Sequence, residues 1–373
     1  MGTSDPRIRS VRLAQLATRY PRTVGRNARL GSHGAGPGSH VAVLVTDDGR
    51  TGWGLVEGPP GDVGRVEGRP LSELIDPAVG VLDEADRWLD IALHDLLGVV
   101  LDAPVHALLG GHGSTDVQLY DGAIYFDDLD PEEAPRGIDV LLDECRADAA
   151  LGYRDFKLKI GRGNLWLPRD RGDARDIEVT RAVREAFPDA RILVDANDGY
   201  DLDGFLTYLE AVADVGLYWV EEPFLDDADD LKALRSWLDT HSPETRIAEG
   251  ETSPDVAALL PVAAAGAIDV LLMDVMSYGL TAWRGLMPEL AAAGVHGSPH
   301  AWGRPLKTRY AAHLAAGLGN VEVVEGVPGE VAGVDPRLLR PVDGVLRLDD
   351  APGFGIPLPD ETHLRPVAAA ERA

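Results

Sequence analysis

The chain has 373 residues, of which 62 are acidic and 35 are basic, giving a formal net charge of −27. A surface this acidic repels nucleic acid and anionic membranes, so neither is expected as a partner. No apolar run approaches the length of a transmembrane helix, and the first residues lack the pattern of a signal peptide. The single cysteine, Cys145, excludes an internal disulfide. We therefore expect a cytoplasmic protein.

The acidic charge is mostly aspartate, and the chain contains only four lysines. This composition resembles that of proteins from hosts that accumulate salt, and we hypothesise a halophilic host in which salt screens the self-repulsion of the chain. A melting temperature that does not rise between low and molar KCl would contradict this hypothesis.

The N-terminal part of the chain combines strands, a loop and helix. Residues 7–60 alternate in the manner of strands, while residues 24–38, rich in Gly, Arg, Ser and His, predict a mobile loop. Residues 71–110 carry leucines at helical spacing and predict helix up to the pair Gly110-Gly111.

From about residue 115, strand-like apolar runs alternate with helical patterns such as 177–187 and 231–238. Eight strands separated by helices predict an α/β fold with a parallel sheet, most simply a (β/α) barrel, with a doubly wound open sheet as the alternative. No Gly-x-Gly-x-x-Gly follows a strand, so no dinucleotide site is indicated. The candidate strands are 117–122, 154–159, 192–196, 217–221, 246–250, 269–274, 295–299 and 321–325.

Two of the four lysines stand together as Lys157-Leu158-Lys159. Residues i and i+2 of a strand project from the same face, so both ammonium groups are expected in one site. There each should lower the pKa of the other, which would let one of them act as a base.

Ionisable residues follow the later strands as well. Asp195, Glu221 and Glu251 come from neighbouring strands, and three carboxylates without Cys or His form an oxygen-only site that suits Mg²⁺ rather than Zn²⁺ or copper. Asp274 on the next strand is placed to orient His300 by a hydrogen bond and to raise its basicity. Such residues at the carboxyl ends of barrel strands are typical of barrel active sites.

This ordered set of motifs resembles the enolase superfamily and, within it, the mandelate racemase subgroup. The resemblance covers roughly residues 40–360 and includes the helix around 90–98 and the Gly-rich tail around 343–355. Its central motifs are Lys157-x-Lys159, Asp195-x-Asn197, Val220-Glu221-Glu222-Pro223, Gly250-Glu251, Asp274, Pro299-His300 and Glu325.

The resemblance implies a modified (β/α)₇β barrel of the TIM type under an α+β capping domain. We expect residues 1–113 to form the capping domain, 114–328 the barrel, and 329–373 a C-terminal segment that packs back on the capping domain. It further implies one Mg²⁺ per subunit, a small carboxylate substrate such as a sugar acid, and a homo-oligomer, either dimer or octamer. The shared chemical step is removal of the proton α to a carboxylate, giving an enediolate.

The family's roles carry over to matching positions. Asp195, Glu221 and Glu251 are implied as metal ligands, with Glu251 preferred to Glu249 because it follows glycine as in the family pattern. Lys159 is implied as one base and His300 with Asp274 as the acid or base on the other face. Lys157 and Glu325 are implied to contact the substrate carboxylate, Glu325 as a hydrogen-bonding acid, and Asn197, Arg304 and Tyr20 to bind substrate.

The sequence leaves several reactions open. Dehydration of an aldonate or aldarate to a 2-keto-3-deoxy acid is favoured by analogy and by the polar loop around Arg19–Ser39, which suits a polyol. Racemisation or epimerisation of a hydroxy acid and cycloisomerisation of a lactone need the same residues, and a non-catalytic binding protein is the remote alternative. The insertion at 161–175, with Arg162, Arg169 and Arg171, is expected to be a solvated loop or a subunit contact.

Overall fold

The computed structural model describes residues 5–58, 60–130, 136–225, 227–251 and 254–367. The outer limits of the predicted first and last domains, residues 1 and 373, lie outside these ranges. None of the helices in the described part of the chain is both long enough and apolar enough to cross a membrane.

An antiparallel sheet forms the N-terminal region. It contains β1 (Ile8–Arg19), β2 (Gly38–Thr46) and β3 (Thr51–Leu55), with β2 in the middle of the three. The predicted strands in residues 7–60 are therefore confirmed. Residues 20–37, between β1 and β2, contain no strand or helix beyond an isolated bridge, as expected for a loop.

The prediction of helix from 71 to 110 is correct only in its second half. Residues 75–81 instead form a short antiparallel pair, β4 (Ile75–Asp76) and β5 (Gly80–Val81), because Pro77 and Gly80 interrupt any helix there. Helix α1 (Asp90–Leu101) and the short α2 (Val105–Leu108) follow.

Helix α1 packs closely on the sheet. The approach depends on Gly52 of β3, where a Cβ atom would lie 2.4 Å from the Cα atom of Leu96. A larger residue at position 52 would therefore push α1 away from the sheet.

Eight parallel strands form the second, larger sheet, and all eight predicted strands are present. Neighbouring strands pair in chain order, and the last strand pairs with the first. An isolated parallel bridge between Gly297 and Val321 joins the remaining edges, so the sheet closes into a barrel. The strands are β6 (Asp116–Ile124), β7 (Asp155–Lys159), β8 (Ile192–Asp195), β9 (Trp219–Glu221), β10 (Arg246–Glu249), β11 (Val270–Leu271), β12 (His296–Gly297) and β13 (Val324–Gly326).

Helices connect successive barrel strands, so the topology is (β/α)₇β, as the resemblance implied. The insertion at 161–175 is not a solvated loop, because it forms α4 and the start of α5 and its Arg162 is fully buried. The helices are α3 (Asp139–Ala150), α4 (Arg162–Leu165), α5 (Arg169–Ala186), α6 (Leu202–Ala211), α7 (Ala228–His241), α8 (Val256–Ala264), α9 (Leu280–Ala293) and α10 (Pro305–Leu318).

The C-terminal segment contacts both sheets. β14 (Glu330–Val331) and β16 (Arg365–Pro366) pair with β1, whereas β15 (Val345–Arg347) pairs with β6 of the barrel. The domain boundaries at 113/114 and 328/329 stay predictions.

Candidate active site

Charged side chains share one level of the barrel at the carboxyl ends of its strands. The pairing register sets Lys159 opposite Asp195 and Asp195 opposite Glu221. Two residues earlier in their strands, Leu193 and Trp219 belong to the apolar interior of the barrel. Side chains alternate between the two faces of a strand, so residues two positions apart lie on the same face. The charged side chains therefore also point into the barrel. The structure thus brings the predicted strand-end residues together.

Both lysines of the Lys157-x-Lys159 pair are almost fully buried. Lys159 forms a close ion pair with Asp195. The Nζ atom of Lys157 lies 2.7 Å from Oε1 of Glu221, 2.9 Å from Oε1 of Glu325 and 3.4 Å from Oδ2 of Asp195. Lys157 therefore links carboxylates of three strands below the mouth of the barrel.

Carboxylates control the charge of the two lysines. Burial opposes the charged form of Lys159, but Asp195 and Glu251 outweigh burial and raise the pKa of its ammonium group. Burial also opposes the charge on Lys157, whose pKa is nonetheless raised well above its usual value by its carboxylate neighbours. Lys157 does act to lower the pKa of Lys159. The predicted effect of Lys157 on Lys159 is therefore present, but the carboxylates outweigh it and the pKa of Lys159 rises.

Three carboxylates form a group that can hold a cation. One oxygen each from Asp195, Glu222 and Glu251 lies within 4.8 Å of the others. Two of the three residues are buried and Glu251 is partly buried. Closely spaced carboxylate oxygens are hard donors, which are the ligands that Mg²⁺ prefers. The residues therefore fit a magnesium ion, although the third member is Glu222 and not the predicted Glu221.

Glu221 lies directly beside this group. Its oxygens meet Nζ of Lys157 at 2.7 Å and Nε1 of Trp219 at 3.0 Å, and its carboxylate also contacts that of Glu251. Burial raises the pKa of Glu221 well above its ordinary value, against the effect of Lys157. Two buried carboxylates in contact need a proton or a cation between them, so Glu221 also fits the role of a ligand.

The backbone explains how two successive glutamates reach one site, although neighbouring strand residues normally point to opposite faces. β9 ends at Glu221, and Glu222 has a φ of 40°, in the left-handed region that few residues other than glycine adopt. The neighbouring strand β8 is followed by the same conformation at Asn197 and Asp198, with φ of 42° and 54°. Such strain at adjacent strand ends is typical of functional sites.

A matched pair of variants tests which of the two glutamates is the third metal ligand. We expect Glu221→Gln to weaken Mg²⁺ binding by more than the roughly 10- to 100-fold typical of losing a residue that only orients a ligand, and Glu222→Gln to weaken it less. The reason is that Glu221 shares the inward level of Asp195 and contacts Glu251. Both changes preserve size, so isothermal titration with MgCl₂ reports the charge alone. The reverse order of the two effects would assign the third ligand to Glu222.

His300 contacts Glu251, one of the three carboxylates of the candidate cation site. Its Nδ1 atom lies 2.8 Å from Oδ2 of Asp274, and because an ionised carboxylate only accepts, Nδ1 carries the hydrogen. Its Nε2 atom then faces Oε1 of Glu251 at 3.2 Å and Oε2 of Glu325 at 3.7 Å. Burial opposes protonation of the ring, but Glu251, Glu325 and Asp274 outweigh it and raise the pKa of His300.

The three predicted substrate-binding residues differ in what they contact. Asn197 is 5% exposed, and its Oδ1 atom has no hydrogen-bond partner among the described residues. The hydroxyl of Tyr20 donates to the carbonyl of Gly303 at 2.7 Å, and Nη1 of Arg304 lies 3.4 Å from Oε1 of Glu57. Tyr20 and Arg304 thus join the barrel to the N-terminal region, and their roles toward substrate stay predictions.

An aromatic wall, formed by Tyr20, His33, Tyr125 and Trp302, stands beside Lys159. Trp302 stacks on Tyr20 with ring centres 5.6 Å apart and lies 4.9 Å from Tyr125. His33, from the loop of residues 20–37, meets Tyr125 at 4.6 Å, and the Tyr125 ring lies 5.3 Å from Nζ of Lys159. Sequence reasoning missed Tyr125 and Trp302, because the fold alone brings these distant residues together.

Lys307 is a further residue that sequence reasoning missed. It is 3% exposed and forms a close ion pair with Asp274, the partner of His300. The signal that could have found it was the scarcity of lysine. Of the four lysines in the chain, three are buried at this site and the fourth, Lys232, lies on the surface.

Comparison with known proteins supports the family resemblance seen in the sequence. Residues 140–362 match the family described as enolase C-terminal domain-like. The crystal structure of galacturonate dehydratase from Geobacillus sp., complexed with D-galacturonate and 5-keto-4-deoxy-D-galacturonate, has a TM-score of 0.90 and 32% identity, and the match covers 96% of both chains. The protein belongs to the enolase superfamily, in the group of mandelate racemase and muconate lactonizing enzyme-like proteins.

Two further similarities bear on cofactor and reaction. A mutant form of the same Geobacillus enzyme was crystallised with Mg, and its match has a TM-score of 0.90 and 32% identity over 96% of this chain and 94% of that one. D-galactarolactone cycloisomerase of Agrobacterium fabrum (strain C58) is 29% identical over 85% of this chain and 88% of its own. The protein is thus similar both to a lyase and to an isomerase of this superfamily.

Proposed function

We propose that the protein dehydrates a sugar acid by removing the proton α to its carboxylate and expelling the β-hydroxyl group as water. The observation that carries this proposal is the placement of Lys159 and His300 on two sides of the carboxylate group. Lys159 contacts Asp195 and His300 contacts Glu251, and their strands are separated by β6 and β13. Two proton-transfer groups around a cation site are what this elimination requires.

Each proton has a defined route. Lys159 takes the α-proton, and the electron pair of that C–H bond moves into the carboxylate to give an enediolate. The pair then returns to form a double bond between the α- and β-carbons as the C–O bond at the β-carbon breaks. His300 gives the proton at Nε2 to the departing oxygen, which leaves as water. The resulting enol becomes the 2-keto-3-deoxy acid without any oxidant or reductant.

We propose that Asp195, Glu221 and Glu251 hold one Mg²⁺ per subunit. When bound, the ion supplies positive charge that stabilises the charge developing on the substrate carboxylate and offsets the carboxylates that raise the pKa of Lys159. Lys157, at the same carboxylates, adds a fixed positive charge below the site.

The predicted role of Glu325 as a hydrogen-bond donor needs its protonated form. Burial favours that form, but Lys157 and His300 outweigh burial and lower the pKa of Glu325. Its Oε2 atom also accepts the N–H of Ala301 at 2.8 Å. These contacts suit an ionised Glu325 that orients Lys157 and the loop after β12.

The proposed substrate is a hexuronate such as galacturonate. Aldonates and aldarates are the next candidate substrates. In a hexuronate the α-carbon is C5 and the β-hydroxyl is on C4, so the same elimination gives a 5-keto-4-deoxy acid, the kind of compound named for the Geobacillus structure. Asn197, Arg304 and Tyr20 are proposed to bind its hydroxyl groups. Further proposed partners are copies of this chain, as a dimer or octamer that light scattering would identify.

Cycloisomerisation or epimerisation is the second candidate function. The similarity to D-galactarolactone cycloisomerase favours it, since that enzyme matches 85% of this chain. The same Lys159 and His300 can move protons at one carbon without expelling a hydroxyl group, so the substrate decides between the reactions. A non-catalytic protein would have no need to bury Lys159 and to pair His300 with Asp274.

Proton NMR in D₂O tests the proposal. The protein is incubated with Mg²⁺ and KCl against hexuronates, aldonates, aldarates and their lactones. We expect loss of the α-proton signal and a new deoxy-carbon signal from one sugar acid. Deuterium at the α-carbon with all hydroxyls retained, or ring opening of a lactone, would replace dehydration with the second candidate. Mg²⁺ binding without any α-proton exchange would overturn both.

A further inference from the structure

A third buried lysine stands behind the proposed acid His300. Lys307 lies in the first turn of α10, three residues after the N-cap residue Arg304. The positive end of a helix dipole disfavours a cation in that turn, and burial of an ammonium group costs further free energy. A lysine at this place needs a compensating contact.

That contact is the carboxylate of Asp274. One of its oxygens, Oδ1, accepts the N–H groups of Met276 at 2.7 Å and Ser277 at 3.1 Å. The other, Oδ2, receives Nδ1 of His300 at 2.8 Å and a close contact from Nζ of Lys307. Four donors use up the lone pairs of a carboxylate, so rotation of the Asp274 side chain would break several hydrogen bonds at once.

Lys307 also holds the loop that carries His300. Its ammonium group donates to the carbonyl of Trp302 at 3.2 Å. Trp302 belongs to the aromatic wall beside Lys159. One buried cation therefore ties together the carboxylate that orients the imidazole and the wall that faces the opposite proton-transfer group.

We propose that Lys307 is a positioning residue for His300, because it fixes Asp274 and thereby aims the Nε2 atom of the imidazole at the leaving hydroxyl group. The inference rests on the proposed function for its kinetic consequence. Proton removal by Lys159, which has its own partner in Asp195, does not depend on Lys307.

Lys307→Met tests the proposal, since methionine has similar length without charge or donor. Lys232→Met is the matched control, because Lys232 is exposed on α7. His300→Gln defines the result of losing the imidazole altogether. We expect Lys307→Met to slow elimination by about 10²-fold with KM little changed, while deuterium still enters the α-carbon of unreacted substrate in D₂O. Lys232→Met should match the unaltered protein.

A second readout needs no substrate. In protein labelled with ¹⁵N-histidine, the Nδ1–H signal of His300, identified by its loss in His300→Gln, should exchange slowly with water because Asp274 holds it. We expect Lys307→Met to speed up that exchange. This readout decides the inference even if no sugar acid reacts and the proposed function fails.

Two results would overturn the inference. One is an unchanged exchange rate of the Nδ1–H signal in Lys307→Met, whether or not a sugar acid reacts. The other is a parallel loss of elimination and α-proton exchange with a lowered unfolding midpoint, which would reduce Lys307 to a residue of general stability.

Discussion

Replacement of Lys159 by methionine should lower kcat by about 10²–10⁴-fold, the range that a positioned general base contributes. Lys159 is 2% exposed and forms a close ion pair with Asp195. The proposed mechanism gives it the α-proton, so deuterium exchange at the α-carbon should disappear together with elimination. This pattern differs from that of His300→Gln, in which exchange at the α-carbon should persist.

Lys159→Arg separates basicity from charge. Arginine keeps a positive charge beside Asp195 but does not lose its proton at working pH, so it should be as inactive as methionine. Binding of Mg²⁺ by calorimetry checks that both variants retain the site, and Lys232→Met should be fully active. Substantial activity in Lys159→Arg would show that this position supplies charge, and would move the base to another residue.

The barrel was predictable from the sequence because each strand is a short apolar run between helical patterns. Strands such as 192–196 differ from the observed β8 by a single residue. The segment 74–83 was not predictable as helix or strand from leucine spacing alone. Its two-residue strands are held by packing against α1 and not by any local preference.

The candidate site was predictable where a residue's position along a strand decides its direction. Lys159, Asp195 and Glu221 belong to this class, since parallel register places them at one level. The approach of Glu222 to Asp195 and Glu251 was not predictable, because it depends on a left-handed backbone at Glu222. Lys307 reaches Asp274 across 33 residues of sequence, and only the closed barrel brings the two together.

The insertion at 161–175 shows that the burial of a charged residue is also not predictable from the sequence. Arginines in a segment without a family counterpart suggested solvent, yet Arg162 is completely buried. Its Nη2 atom lies 2.8 Å from Oδ1 of Asp128, and its Nη1 atom lies 2.7 Å from Oδ1 of Asp176. The guanidinium also lies 4.2 Å from the centre of the Phe126 ring. The hydrophobicity of a segment does not predict that one of its arginines is buried, because the carboxylates that pair with it come from two other parts of the chain.

Arg162→Met should lower the free energy of unfolding by about 3–5 kcal/mol, the usual cost of removing one partner from a buried charge cluster. The loss leaves the carboxylates of Asp128 and Asp176 in the interior with less compensation. Arg171→Met is the control, since Arg171 is exposed on α5 and should have little effect. Urea unfolding followed by tryptophan fluorescence measures both variants in the same buffer.

The position of Arg162 also predicts an effect on activity. Its Nη1 atom donates to the carbonyl of Lys159 at 3.3 Å, so the cluster supports the end of β7 from which the proposed base projects. Arg162→Met should therefore reduce kcat even at temperatures where the variant is fully folded. Addition of Asp128→Asn to Arg162→Met removes one buried carboxylate charge that has lost its Arg162 partner. It should therefore recover part of the stability. It should not recover kcat, because the support of Lys159 is still missing. Recovery of both together would show that Arg162 acts on the site only through the stability of the fold.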